Sequence, residues 1–136
     1  MLERNIRSRG MRMTMAFWCV LIAGLLPYVS TLAAKIGGER FDNRNPRDWL
    51  AAQSGFRRRA NAAQANGFEA FPLFAAGVVV AHLAGAAPSR VDELAIGFVV
   101  ARLFYTLFYF VDMALMRSLA WSVGIGCSAA LFFIAA

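Results

Sequence analysis

The stretch MTMAFWCVLIAGLLPYVSTLAA, residues 13–34, carries no charged side chain, and its only polar residues are Thr14, Ser30 and Thr31. As an α-helix these 22 residues would reach about 33 Å, against a hydrocarbon thickness of roughly 30 Å. Three more apolar segments follow, at about 60–87, 93–116 and 119–136. A soluble domain of 136 residues lacks the polar surface to cover four such helices. Only 16% of the residues are charged, where soluble proteins average about 25%. The reading is an all-α membrane protein: one four-transmembrane-helix, up-and-down bundle over residues 13–136, in contact with the lipid bilayer.

Residues 1–12 read as a basic N-terminal extension, with Arg4, Arg7, Arg9 and Arg12, and with Met11 and Met13 as alternative starts. A signal peptide shares this layout, and Thr31-Leu32-Ala33 would serve as its cleavage site. The apolar run is nevertheless longer than the usual core of about 7–15 residues, so an uncleaved span is expected. The net charge of +6 raises nucleic acid as a partner. The basic residues gather beside spans, however, where they set topology and meet anionic headgroups, so no nucleic acid is expected. Lys35, Arg40, Arg44, Arg47, Arg57, Arg58, Arg59 and Arg117 lie on one side; Arg4, Arg7, Arg9, Arg12 and Arg90 lie on the other. The positive-inside rule then puts loop 35–59 in the cytoplasm and both termini outside.

The segment 35–56 is the one long polar connection. Its Asn45-Pro46 pair marks a short helix start, with Asp48 in the first turn. At the second connection Pro88 ends span two, and Ser89 or Asp92 is placed to cap span three. The third connection falls around Arg117 and Ser118. Cys19 and Cys127 sit inside spans without metal-ligand spacing and read as packing residues, so no metal is expected.

The spans also carry polar residues. At 100° per residue, Arg59, Asn66 and Glu69 fall within an arc of about 80° on span two. Arg102, Tyr105, Tyr109, Asp112 and Met116 share an equivalent face of span three, opposite Val100, Phe104, Leu107 and Phe108. Charges in hydrocarbon face protein or a water-filled cavity, because facing lipid costs several kcal/mol. Two readings follow. The stripes neutralise one another, or they floor a polar cavity rimmed by Arg57, Arg58, Arg59 and Arg117. Such a cavity suits a small anion, since arginine pairs bidentately with carboxylates and a nearby guanidinium favours a bound thiolate.

The run RRRANAAQANGFEAFPLF (57–74) resembles the second-helix signature of the MAPEG family, membrane-associated proteins in eicosanoid and glutathione metabolism. That signature is an arginine, then an asparagine, a glutamate three residues later and an aromatic-Pro pair; Asn66, Glu69 and Phe71-Pro72 match its later part. NRNPRDWLAAQSG (43–55) is similar to the loop of bacterial members. ARLFYTLFYFVDMALMRSLAW (101–121) resembles the third-helix pattern through Arg102, Tyr105, Tyr109, Arg117 and Ser118. The resemblance implies a homotrimer in a bacterial inner membrane, with glutathione as co-substrate bound between subunits on the cytoplasmic side. It implies transferase or peroxidase chemistry on a lipophilic small molecule, an electrophile or a hydroperoxide. Asn66 and Glu69 would hold the peptide, and Tyr105 and Tyr109 would line the site with Arg102. Arg117 would stabilise the thiolate beside Ser118.

The sequence departs from the pattern at Ala62, where catalytic relatives usually carry arginine, at Ala65, where some also do, and at Gln64, where many carry histidine. Arg58 or Arg59, about one turn earlier, would have to substitute by reaching down. Three functions therefore stay open: a glutathione-dependent enzyme, a non-catalytic scaffold or small-anion-binding protein of the same fold, and a small transporter or channel. The outer halves of spans two and three are mostly apolar, which disfavours the last. His82 and Trp121 read as packing and interface residues.

Overall fold

The computed structural model describes residues 12–136, so all of the basic extension except Arg12 lies outside the described residues. Five helices follow in order: α1 (Met15–Lys35), α2 (Pro46–Ala51), α3 (Gly55–Leu83), α4 (Pro88–Phe110) and α5 (Ala114–Phe133). No strand occurs among the described residues. All but α2 are long and apolar enough to cross a membrane, and together they form an up-and-down four-helix bundle. Most large apolar side chains on their outer faces are exposed, Leu25, Val29, Phe104, Leu107 and Val123 among them, as a lipid-facing surface requires. The short α2 starts at Pro46, as its turn signal predicts, and buries Leu50 against Ala34 and Ala60.

The interior is built by close approach of small residues and stacked rings. A Cβ on Gly67 of α3 would come within 2.7 Å of Pro27 Cγ, so glycine there is what lets α1 lie against α3. Phe74 of α3 and Phe98 of α4 stack at 3.9 Å with 6° between their planes, beside the buried Val78, Val91 and Leu131. With both rings buried, this stack closes the middle of the bundle.

Three boundaries differ from expectation. Helix α3 ends at Leu83, before Pro88, through a Schellman turn: Ala86 N donates to Ala81 O, Gly85 N donates to His82 O, and Gly85 has φ +77°. Pro88 instead opens α4, at a first-turn position where its missing N–H is no loss. Asp92 does not cap α4. It sits one turn in, and its Oδ1 accepts from Ala16 N of α1 at 2.7 Å, tying two helix ends together. The third connection is Val111–Met113, earlier than Arg117 and Ser118, and Asp112 takes a left-handed φ of 60° there. Asp112 therefore leaves the α4 face, and Arg117 enters the first turn of α5.

Candidate functional site

Arg102 lies eight residues inside the C-terminal end of α4, about 12 Å along the helix, and is only 4% exposed. Its Nη1 donates to Asn66 Oδ1 of α3 at 2.9 Å, and its guanidinium stacks on the Tyr105 ring at 4.1 Å. Asn66 Nδ2 in turn reaches Glu69 Oε2 at 3.4 Å. Toward the basic end, Tyr105 meets Tyr109 edge-on at 5.5 Å, and the Arg117 guanidinium lies 4.2 Å over the Tyr109 ring. One polar track thus runs from Glu69 through Asn66, Arg102, Tyr105 and Tyr109 to Arg117.

Among the described residues, the one ion pair is Arg59 with Asp112. Among the described residues no carboxylate stands within ion-pair distance of Arg102, a buried cation held by a neutral amide and a ring. Such a group is expensive to bury without a counter-charge. It borders a cavity of about 210 Å³ between α3, α4 and α5, lined chiefly by Asn66, Glu69, Arg102, Trp121, Gly124 and Ser128. On its other side, Ser30, Gly67 and Thr106 enclose a pocket of about 10 Å³, the size of one water.

Residues 15–136 match the MAPEG family. The chain belongs to the MAPEG family. It is an integral, multi-pass membrane protein, from a family associated with glutathione chemistry. Neither the curated proteins nor the solved structures gave a significant match.

The MAPEG signature residues occupy different parts of this chain. Asn66, Glu69, Arg102, Tyr105, Tyr109 and Arg117 share the track, with Glu69 exposed beside the cavity mouth. Arg59 lies seven residues before Asn66, about 10 Å along α3. Its Nη2 donates to Phe110 O at 3.3 Å, its Nη1 stands 3.9 Å from Asp112 Oδ2, and its buried Nε has no partner. It thus sits at the end of α4 and not beside Asn66. Arg58 is exposed at the same end, and Arg57 folds back toward Gln53. Ser118 is exposed, with its hydroxyl donated to Ala114 O at 3.1 Å. His82 is remote: it stacks on Phe17 and hydrogen-bonds Thr14 at the opposite end.

The wall contributed by α5 was not anticipated. Trp121, Gly124, Ile125 and Ser128 line the cavity, although Trp121 reads from sequence as an interface anchor. Their spacing (i, i+3, i+4, i+7) is one helical face and was the available signal.

Proposed function

We propose that this MAPEG protein binds glutathione along the polar track and uses its thiol on a lipophilic electrophile or hydroperoxide. The observation that carries the reading is Arg102, a buried cation without a carboxylate partner among the described residues, held with Asn66 at the edge of a cavity. A carboxylate of the tripeptide supplies the missing counter-charge. Glu69 takes the amino end, Tyr105 and Tyr109 line the path, and Arg117 with Ser118 beside it holds the thiolate near the basic end. Arg58 and Arg59 attract the anion at the mouth. The clustering of Arg57, Arg58, Arg59 and Arg117 supports a cytoplasmic opening in a bacterial inner membrane. An exposed Glu69 within a span supports cover by a neighbouring subunit, in a homotrimer.

In the transferase reaction the thiolate sulfur forms a bond to the electrophilic carbon while the leaving group departs with its electron pair. In the peroxidase reaction the sulfur attacks one peroxide oxygen, and the O–O bond breaks. The alcohol leaves after taking a proton, and a second glutathione converts the resulting sulfenic acid to disulfide and water. The protein's part is placement and stabilisation of negative charge in a dry site.

A second reading, an anion-binding protein of the same fold without catalysis, is favoured by one arrangement. Arg59 is engaged by Phe110 and Asp112, and residues 60–65 between it and Asn66 include no cation. Titration of the full chain in nanodiscs tests the proposal. Saturable glutathione binding, weakened at least tenfold by Arg117→Ala, is expected. No saturable binding, or binding indifferent to Arg117→Ala, overturns it, and binding without turnover selects the second reading.

A further inference from the structure

On the α1 side, away from the cavity, Arg102 borders a second space. Pro27, Ser30, Gly67 and Thr106 line it with Arg102, and its volume is about 10 Å³. A space of that size holds one water, provided two to four polar groups face it; lined by apolar groups alone it stays dry. The hydroxyls decide which case applies. Thr31, Ser118, Ser122 and Ser128 each donate to the carbonyl four residues back along their own helix. Ser30 and Thr106 make no such bond among the described residues, although they are only 1% and 8% exposed. They approach from different helices, α1 and α4, and both line the pocket. Pro27 adds a further polar demand there. It has no N–H, so Ala23 O loses its helical donor, and Ala23 too stands on the pocket wall. Membrane-spanning helices tolerate such prolines where hydroxyls or ordered water take up the freed backbone group.

We infer that this pocket is the site of one resident water, which joins the Ser30 and Thr106 hydroxyls across α1 and α4 and accepts from the Arg102 guanidinium. A buried water commonly makes about three hydrogen bonds, and these groups supply them. Arg102 is then held from two directions. Asn66 takes Nη1 at 2.9 Å on the α3 side, and the water takes a second N–H on the α1 side. A guanidinium carries about five N–H donors, so others stay turned to the cavity. Ser30 and Thr106 become positioning residues, which fix the direction of the cation through the water without touching a ligand. A bound water is nearly as good a hydrogen-bond partner as a protein group. It therefore accounts for a cation only 4% exposed whose direct partners are a neutral amide and a ring. The water site stands on the pocket alone; only its effect on affinity rests on the glutathione reading.

Methyl NMR on the full chain in nanodiscs reads the water directly. The chain's threonines are Thr14, Thr31 and Thr106, and Thr106→Ser identifies the Thr106 methyl signal by removing it. Thr106 lines the small pocket and not the cavity, so a water beside its methyl is the pocket's own. A nuclear Overhauser cross-peak between that methyl and water is expected. It should fall at least threefold in Ser30→Val, whose second methyl takes the water's place. Ser30→Ala, which removes one partner, serves where valine disturbs folding and should lower it in the same direction. No cross-peak in the folded chain, or one that ignores both Ser30 variants, overturns the site. The Arg102 Nε–H resonance, assigned by its loss in Arg102→Met, reads the positioning. It should move in Thr106→Val, which keeps the shape and drops the hydroxyl, and return in Thr106→Ser. A resonance that Thr106→Val leaves in place, or that Thr106→Ser fails to restore, overturns the positioning role. Glutathione affinity should follow the same order. It should fall about fivefold in Thr106→Val, the equivalent of one ordinary hydrogen bond, and stay within about twofold in Thr106→Ser. An equal fall in both makes Thr106 a packing residue and overturns its action through the water. Both NMR signatures in a chain that binds no glutathione would leave the water site standing while the glutathione reading falls.

Discussion

Replacing Arg102 with methionine would separate an arginine kept for the fold from one kept for a ligand. In the folded chain its guanidinium makes a hydrogen bond to Asn66 and stacks on Tyr105. A hydrogen bond involving a charged group contributes about 1.5–3 kcal/mol, and a desolvated cation–π contact about 2 kcal/mol. Against these stands the removal of a cation from water, an effective penalty of several kcal/mol per ion. With no carboxylate in ion-pair reach among the described residues to offset it, these terms come close to cancelling. Methionine fills much of the same space with an unbranched apolar chain, at the expense of one donor for Asn66. The thermal midpoint of Arg102→Met in nanodiscs should therefore stay near wild type or rise. Glutathione affinity, followed by calorimetry on the same preparation, should fall about 10- to 100-fold for the loss of one charge-assisted contact. The opposite pair of results would refute the reasoning. A loss of about 3–5 kcal/mol in stability, typical of breaking a buried pair, with affinity intact would make Arg102 a structural partner.

Three further outcomes follow from named contacts. Asp112→Asn keeps a side chain that tolerates φ 60° but removes the charge beside Arg59; exposed pairs contribute at most about 1 kcal/mol, so glutathione titration should show affinity rising up to about fivefold. Gly67→Val should lower stability by about 1–3 kcal/mol through the clash with Pro27, and Pro27→Ala should restore part of it in a double-mutant cycle read by thermal melting. Asp92→Ala should cost about 0.5–2 kcal/mol by uncapping α1 at Ala16, while leaving glutathione affinity unchanged, since Asp92 lies at the opposite end.

The four helices were legible because hydrocarbon demands long uncharged runs, and residues 13–34 meet that demand without exception. That the stripes of spans two and three would meet was legible for a related reason, since polar residues inside spans must find one another, but the pairing of Arg102 with the neutral Asn66 was not. Nor was the end of the third span. Val111-Asp112-Met113 contains neither glycine nor proline, so extending the 100° pattern past Phe110 left Asp112 and Met116 on a face that the backbone has already abandoned. The α5 wall was missed because Gly124 and Ser128 carry no charge. Their smallness gains meaning only once Arg102 is known to lie opposite. Asp92 looked like a cap for its own helix because sequence order hides that α1 begins beside it.

The alanines at 62 and 65 then bear on affinity in a definite way. From Arg59 to Asn66 is about 10 Å along α3, and from Tyr109 to Arg102 the antiparallel α4 covers the same rise. A tripeptide at about 3.3–3.6 Å per residue spans that distance. On the proposed glutathione reading its ends meet Arg102 at the deep end and Arg59 at the mouth, leaving Ala62 beside its middle. The deep contact is fixed, at 2.9 Å in a buried setting, whereas Arg59 has contacts at 3.3 and 3.9 Å, the longer of them to a carboxylate that is 68% exposed. On this arrangement the alanines widen the path without removing either anchor. Ala62→Arg, which adds a cation midway, should raise glutathione affinity by less than Arg102→Met lowers it. If calorimetry gave the reverse order, the grip would lie in the middle of the track, and the small residues at 62 and 65 would mark a weakened site.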